Sequence, residues 1–179
     1  MRVFYRLHQF WHALTEVPTQ ESLFKARQVL SPSLMTLFMR MQPSEQAHSL
    51  WIYEQLLQQN ETDRDLLAAA LLHDVGKSRH PLRLWERVVI VLGKAWFPER
   101  IKRWGKAAPR GWKRPFVIAE QHPAWGAELA AQAGASPLAV ALIRHHQDSP
   151  EAILGQANGK NQPLEDRLLA RLQSLDNES

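Results

Sequence analysis

The chain has 179 residues and a net charge of +4, with 45% hydrophobic and 22% charged residues. This length suits one domain with a substantial core, and the composition is that of an ordinary globular protein. Because the chain contains no cysteine, disulfides and thiolate metal sites are excluded. Any metal ion must therefore be bound by His, Asp and Glu.

The sequence indicates neither a signal peptide nor a membrane span. Residues 1–8 contain charges too early for the apolar core of a signal peptide. The longest uncharged stretch, residues 129–143, contains Gln132, Gly134 and Pro137, which indicate a helix, a turn and a second helix. We therefore expect a soluble cytoplasmic protein.

Helical periodicity dominates the sequence, and no convincing alternating strand occurs. The pattern predicts an amphipathic helix over residues 4–14 and a second helix that Thr19 or Ser22 caps. Ser31 and Pro32 form the cap and first turn of a third. These features predict an all-α protein.

The remaining helices are predicted from caps, prolines and apolar spacing. Pro43 begins a helix that ends near Asn60, and Thr62 or Asp63 caps the next. Pro123 suits the first turn of a helix, which would leave His122 at the mouth of that helix. The second half of the chain is predicted to contain helices over residues 82–96, 98–106, 116–120, 123–133, 137–146 and 163–176, with loop-like stretches over 106–115 and 148–160.

The most informative motif follows the helix that Thr62 or Asp63 caps. Residues 66–72 are all Leu and Ala, and the chain then presents His73, Asp74, Gly76 and Lys77. Adjacent residues in mid-helix point about 100° apart, whereas at a helix end facing a cleft they can share a target. A neutral imidazole beside a carboxylate is a good pair of ligands for a divalent metal.

Similar residues recur at other predicted helix ends and faces. The full set is His48, His73, Asp74, His122, His145, His146 and Asp176. These ligands exceed what one metal needs and suit two, with one carboxylate able to bridge. Imidazole and carboxylate without sulfur suit Fe, Mn, Zn, Ni or Co better than Ca.

In this order, the residues resemble the HD-domain metal-dependent phosphohydrolases. The resemblance covers about 130 of the 179 residues and includes His48-Ser49, His73-Asp74-Val75-Gly76-Lys77, His122-Pro123 with Gly126, His145-His146 and Asp176. It implies an all-α HD-domain helical bundle with a metal centre between the core helices. Within the superfamily the chain looks nearest the two-metal members, including the HD-GYP phosphodiesterases of cyclic dinucleotides.

The resemblance also implies a role for each candidate residue. One metal would be held by His48, His73, Asp74 and Asp176. Asp74 would bridge to a second metal, which His122, His145 and His146 complete. Lys77 would face the substrate phosphate. Fe or Mn is the expected metal, with Zn, Ni, Co or Mg as alternatives.

The chain departs from the HD-GYP pattern in two places. Where that group has a Glu and a Gly-Tyr-Pro signature, this chain has Gln147-Asp148-Ser149-Pro150, which argues against a cyclic dinucleotide substrate. Ser44 stands four positions before His48 in place of an acidic residue, so no third metal is expected. Asp176 lies three residues from the C-terminus, where helices fray.

We predict a single HD domain over residues 1–179, divided into N-terminal helices (1–42), an HD core (43–77 and 115–179) and a basic helical insertion (78–114). Residues 79–114 contain eleven Lys and Arg against two Glu, together with Trp85, Trp96, Trp104 and Trp112. This segment could bind nucleic acid or an anionic membrane surface. Alternatively, some of its cations could overhang the metal cleft and attract anionic substrates. The favoured interpretation is an insertion that packs its Trp and Val residues inward.

The resemblance, together with the candidate metal ligands, implies an enzyme that cleaves a phosphomonoester or phosphodiester of a small phosphorylated substrate such as a nucleotide. Catalysis would depend on Asp74 and Lys77, with two cations activating water. One alternative is a di-iron oxygenase on the same scaffold. The other is a regulatory or nucleic-acid-binding module with a structural metal site. The sequence leaves the oligomeric state open.

Overall fold

The computed structural model describes residues 17–148 and 163–178, and within these ranges the chain contains helices and no strand. The predicted all-α fold is confirmed. The helix predicted over residues 4–14 and the loop-like stretch after Asp148 lie outside the described residues. Among the helices of the described ranges, none combines the length and hydrophobicity that crossing a bilayer requires.

The first four described helices begin where the predicted caps and prolines place them. They are α1 (Gln20–Val29), α2 (Pro32–Phe38), α3 (Pro43–Gln58) and α4 (Arg64–Leu72). Of the two caps considered for α1, Thr19 is the one used, and its side chain accepts a hydrogen bond from the Ser22 N–H at 3.1 Å. Asp63 caps α4 by accepting from the Leu66 N–H at 2.9 Å. Each cap satisfies a backbone donor that the first turn leaves without a partner.

The second half begins with the segment that follows the His73-Asp74 motif. Its elements are a 3₁₀ turn (Val75–Arg79), α5 (Leu84–Trp96), α6 (Pro98–Gly105), a short 3₁₀ turn (Gly111–Lys113), α7 (Arg114–Gln132), α8 (Pro137–His145) and α9 (Leu164–Glu178). The long helix α7 packs against the first 3₁₀ turn, α6 and α8. The first 3₁₀ turn, which carries Gly76 and Lys77, is therefore held against α7.

One apolar core joins α1 to α4 with α7, α8 and α9. Its fully buried large side chains include Phe38, Ile52, Leu56, Leu66, Leu71, Leu72, Leu142, Ile143 and Leu172. Helices α5 and α6, which carry most of the basic segment, contribute nothing to this cluster. They pack outside the core, against α7.

The contact of α5 with the body uses small and polar residues. A Cβ atom on Gly93 would come within 2.7 Å of the Phe116 ring and 2.8 Å of Ile101, so α5 approaches both side chains closely. Glu86, also buried, forms an ion pair with Arg114. The expected inward packing of the Trp and Val residues is wrong for most of α5, because the inward side of the helix is occupied by these other residues.

The prediction for the region around Pro123 is also wrong. The sequence predicts a break at this proline, whereas α7 runs without interruption from Arg114 to Gln132 and includes Pro123. A proline within a helix removes the N–H that would donate to the carbonyl four residues earlier, here Ala119. His122 compensates for this loss, because its Nδ1 lies 3.0 Å from the Ala119 oxygen.

Gly76 allows the first 3₁₀ turn to touch the backbone of α7. A Cβ atom on Gly76 would lie 1.9 Å from the His122 oxygen and 2.6 Å from the Gly126 nitrogen. Both contacts involve backbone atoms, which cannot move aside as a side-chain tip can. The close approach therefore requires glycine and fixes the distance between the His73-Asp74 motif and α7.

We expect Gly76→Ala to lower the free energy of unfolding by about 3 kcal/mol or more, because backbone atoms must separate. Gly126→Ala is the matched comparison, since its Cβ would meet its nearest atoms at 3.2 Å. That variant should lose about 1 kcal/mol or less. Urea unfolding in the presence of a chelator measures both values without a contribution from bound metal. Equal midpoints for Gly76→Ala and the parent chain would contradict the assigned contact.

Candidate metal centre

Two candidate ligands lie at helix ends and bond to carbonyls of the last turn. His73 ends α4, and its Nδ1 lies 2.9 Å from the Ala70 oxygen. His146 ends α8, and its Nδ1 lies 2.8 Å from the Ile143 oxygen. A carbonyl oxygen only accepts hydrogen bonds, so Nδ1 carries the proton in both rings. Their Nε2 atoms are consequently turned away from the helices that bear them.

His122 has the same orientation although it lies in the middle of α7. Its Nδ1 is 3.0 Å from the oxygens of both Ile118 and Ala119. The Ala119 carbonyl is available because Pro123 has no N–H to donate to it. The His122-Pro123 pair thus produces within a helix the unpaired carbonyl that His73 and His146 find at helix ends.

The three Nε2 atoms converge and are buried. The His73 and His146 ring centres are 5.1 Å apart, and those of His122 and His146 are 5.2 Å apart. Within the described residues, no hydrogen bond of good geometry reaches the three Nε2 atoms, and the nearest groups to His122 and His73 are carboxylate oxygens at 3.2 Å and 3.5 Å. A buried polar atom without a partner costs about 1–3 kcal/mol. Three such atoms aimed at one region fit a bound cation, for which neutral imidazole is a common ligand.

Asp74 lies between the histidines and belongs to both groups of donors. One group is His48, His73 and Asp74, the other is Asp74, His122 and His146, and the donor atoms within each group lie within 4.8 Å of one another. The Asp74 Oδ1 is 3.2 Å from the His122 Nε2, and its Oδ2 is 3.7 Å from the His73 Nε2. The two oxygens of a single carboxylate therefore face different groups, as a bridging ligand requires.

Asp176 and His48 close the side of the centre that faces α9. The Asp176 Oδ1 lies 3.0 Å from the His48 Nε2 and 3.5 Å from the His73 Nε2. Although it lies three residues from the C-terminus, Asp176 is within α9, which Leu172 and Leu175 anchor in the core. The first group therefore has a second carboxylate beside it.

The carboxylates of the cluster keep their negative charge, and His146 stays neutral. Burial alone would lower the pKa of His73, but the Asp74 and Asp176 carboxylates raise it to about 9. Burial, together with the neighbouring His73 and His122, lowers the pKa of His146 to about 3. Burial opposes the ionisation of Asp74, yet Lys77 and His73 hold its pKa well below the ordinary value. The cluster thus combines ionised carboxylates with neutral imidazoles, and one imidazole must release a proton to bind metal.

Lys77 completes the inner part of the site. Its Nζ lies 2.6 Å from the Asp74 Oδ2. Burial lowers the pKa of Lys77, but the carboxylates of Asp74 and Glu45 raise it above its ordinary value. The side chain is therefore a fixed positive charge beside the proposed bridging carboxylate.

The structure does not bring His145 into the cluster. Its side chain is 43% exposed, and its Nδ1 lies 2.6 Å from an Asp148 carboxylate oxygen. Successive residues of a helix point about 100° apart, so only one of His145 and His146 can face the centre. His146 occupies that position, in contrast to the expectation that both histidines would complete the second group.

Sequence reasoning missed two charged residues next to the centre. Glu45 is buried, and one of its oxygens lies 3.0 Å from the Arg87 Nη2. Burial raises the pKa of Glu45 despite the opposing effect of Lys77. The spacing in the sequence could have indicated Glu45, because it precedes His48 by three residues and therefore shares its face of α3. Arg87 comes from α5 and carries no local signal for this position.

His146→Ala should lower the affinity for Mn²⁺ by more than about 100-fold. Loss of a residue that only supports a metal ligand typically lowers metal affinity by about 10–100-fold, and His146 is expected to be a ligand itself. The adjacent His145→Ala variant is the control, and its affinity should match that of the parent chain. Isothermal titration of the metal-free chain measures both. An equal loss in the two variants would contradict the assignment of His146 as the inward-facing member.

Pro123→Ala should weaken metal binding by about tenfold without destabilising the chain. The new N–H can donate to the Ala119 carbonyl and compete with His122 for it, which loosens the ring. Removal of a proline from the helix interior should leave the free energy of unfolding unchanged or raise it. Metal titration and urea unfolding of the same sample separate the two effects. Unchanged metal affinity would contradict a positioning role for Pro123.

Comparison with known proteins gives a family but no individual relative. The family model of the HD domain matches residues 35–178. No curated protein and no solved structure matches the chain. The matched region contains every residue of the two donor groups, together with Lys77 and Asp176. Because the match spans well over half of its length, this chain belongs to the HD-domain family.

Proposed function

We propose that the chain is a metal-dependent phosphohydrolase that cleaves a phosphomonoester or phosphodiester of a small substrate such as a nucleotide. The observation that carries the proposal is the position of Lys77. Its Nζ is 2.6 Å from Asp74 at the centre, and its side chain also lines a cleft beside His122. Lys77 can therefore contact a ligand in the cleft and the donor groups at the same time.

The cleft has the chemistry that a phosphate ester needs. Its cations are Lys77, Arg87 and Lys94, its apolar residues are Leu82, Ile90, Val91 and Ala119, and His122 and Gln147 complete the lining. Three positive charges suit a phosphate, and the aliphatic side chains suit an apolar or aromatic group attached to it. This combination favours a phosphate ester over a neutral or cationic substrate.

The two cations from α5 differ in how firmly they are held. The Arg87 Nη2 lies 2.6 Å from the Gln42 Oε1 and 3.0 Å from the Glu45 Oε1, which orient the guanidinium before any ligand arrives. Lys94 is the more exposed of the two cations. Its partial burial beside the cleft, together with the positive charge of Lys77, lowers its pKa. Arg87 therefore suits a fixed contact, and Lys94 suits a contact that adapts to the substrate.

The residues of the centre would hold one or two divalent cations, with Fe or Mn favoured. When bound there, such a cation lowers the pKa of water and stabilises negative charge on a phosphoryl oxygen. His73, His122 and His146 are oriented for this task by their Nδ1 hydrogen bonds. Asp74 holds both groups together, and Lys77 adds a positive charge where the phosphoryl group gathers negative charge.

Gln147 replaces the Glu that cyclic dinucleotide phosphodiesterases of the HD-GYP group are expected to carry, and it lines the cleft. The cavity has a volume of about 170 Å³. Small-molecule sites typically occupy about 300–1,000 Å³, so a phosphate with a modest attached group fits better than a cyclic dinucleotide. A mononucleotide or a smaller phosphate ester is thus the favoured substrate class.

The experiment compares Lys77→Met with Arg79→Met. Both residues lie in the same 3₁₀ turn, but Arg79 pairs with Glu128 on the surface at 2.9 Å. With Mn²⁺ or Fe²⁺ supplied, Lys77→Met should lower kcat/KM by about 10²–10³-fold while the metal content stays constant. Arg79→Met should remain within about threefold, because a surface ion pair contributes little. The substrates are p-nitrophenyl phosphate, its bis ester and a panel of nucleotides.

Two outcomes would contradict the proposal. One is an absence of phosphoester hydrolysis by the metal-loaded chain across the panel. The other is full activity in Lys77→Met. Oxygen consumption by the anaerobically loaded Fe²⁺ form would instead favour the oxygenase alternative.

A further inference from the structure

Helix α5 presents an apolar face to solvent. The exposed residues are Leu84, Trp85, Val88, Val91, Leu92 and Trp96, and Phe97 follows the helix. The spacing of three and four residues places them along one side of a helix about 20 Å long. Trp85 is 53% exposed and Trp96 is 67% exposed, so the two indole rings mark the ends of the face. We call these seven residues the α5 stripe.

The orientation of α5 is the reverse of what an amphipathic surface helix normally shows. Glu86 and Gly93 are the buried residues of the helix, and Arg87 reaches inward to Glu45. The stripe residues therefore face outward, whereas Glu86, Arg87 and Gly93 face the rest of the protein. A large contiguous apolar surface that is exposed to solvent commonly marks an interaction site.

Exposed cations flank the α5 stripe along the chain, and the Arg100 guanidinium lies over the Phe97 ring, 5.5 Å from its centre. The exposed basic residues of α6 and the following turn are Arg100, Lys102, Arg103 and Lys106, while Arg83 precedes α5 and Lys94 lies within it. Residues 79–114 together carry eleven Lys and Arg against two Glu. An apolar helix face bordered by Lys, Arg and Trp has the composition of helices that lie in the headgroup region of anionic bilayers.

Other occupants match these features less well. A nucleic acid would use the cations and the indole rings, but Leu84, Val88 and Leu92 offer nothing to a polar polyanion. A second copy of the chain would bring two strongly basic surfaces together, which repel. An anionic bilayer satisfies both components, because acyl chains accept the aliphatic residues and headgroups accept the cations.

We propose that the α5 stripe docks on the surface of an anionic phospholipid bilayer, with α5 lying in the plane of the interface. Val91 belongs to the stripe and also lines the cleft beside the metal centre. Docking therefore brings the mouth of the cleft to the bilayer surface. The inference does not depend on which reaction the centre performs.

The test is co-sedimentation of the full chain with large unilamellar vesicles. One set contains phosphatidylglycerol and phosphatidylcholine in equal amounts, and the other contains phosphatidylcholine alone. The parent chain should bind the anionic set, and added salt should weaken that binding. The double variant Trp85→Ser, Trp96→Ser should bind at least about tenfold more weakly. Phe24→Ser is the matched control, because Phe24 is 62% exposed on α1, outside the α5 stripe.

A second variant tests the cations without changing the apolar residues. Arg103→Glu combined with Lys106→Glu should lower binding to anionic vesicles by about tenfold or more. Both side chains are exposed, and circular dichroism should show an unchanged fold. A parent chain that fails to bind anionic vesicles would overturn the proposal. Undiminished binding by the tryptophan variant would do the same, as would tryptophan-dependent binding to single-stranded DNA in place of vesicles.

Discussion

The geometry of the centre depends on one hydrogen bond made three times, from a histidine Nδ1–H to a backbone carbonyl of its own helix. In His73 and His146 the acceptor lies in the last helical turn, and in His122 it is the carbonyl that Pro123 leaves unpaired. Each bond selects the tautomer and directs Nε2 inward. The helix positions then decide whether the three Nε2 atoms meet, and the contact of Gly76 with α7 sets the critical distance.

Local chemistry made most of the fold predictable from the sequence. Thr19, Ser31 and Asp63 cap their helices through atoms two or three residues away, so a short window contains all the necessary information. The prediction of a helix break at Pro123 was wrong because the rule that proline interrupts helices considers only the lost backbone hydrogen bond. The compensating donor is a side chain, that of His122, and its value depends on burial that the sequence pattern does not display.

The convergence of the site residues could be expected only through their order along the chain. His48, His73, Asp74, His122, His146 and Asp176 do meet, whereas His145 does not, because neighbouring helical positions face different directions. The contact of Arg87 with Glu45 joins residues that are 42 positions apart. Neither residue belongs to the motif, so no pattern within the sequence predicts the pair. The ligand roles themselves stay predictions until metal is measured.

The basic segment shows why composition alone could not assign its role. Apolar and charged residues recur along α5 with a helical period, which shows that the helix has two different sides. The period alone does not tell which side faces the rest of the protein. Two particular residues decide the matter. Gly93 lets the helix approach Phe116 closely, and Glu86 pairs with Arg114. Once these contacts fix the inward side, Arg87 must point toward the metal centre and the α5 stripe must face solvent. The same rotation of one helix therefore creates both the charged wall of the cleft and the apolar surface beside its mouth.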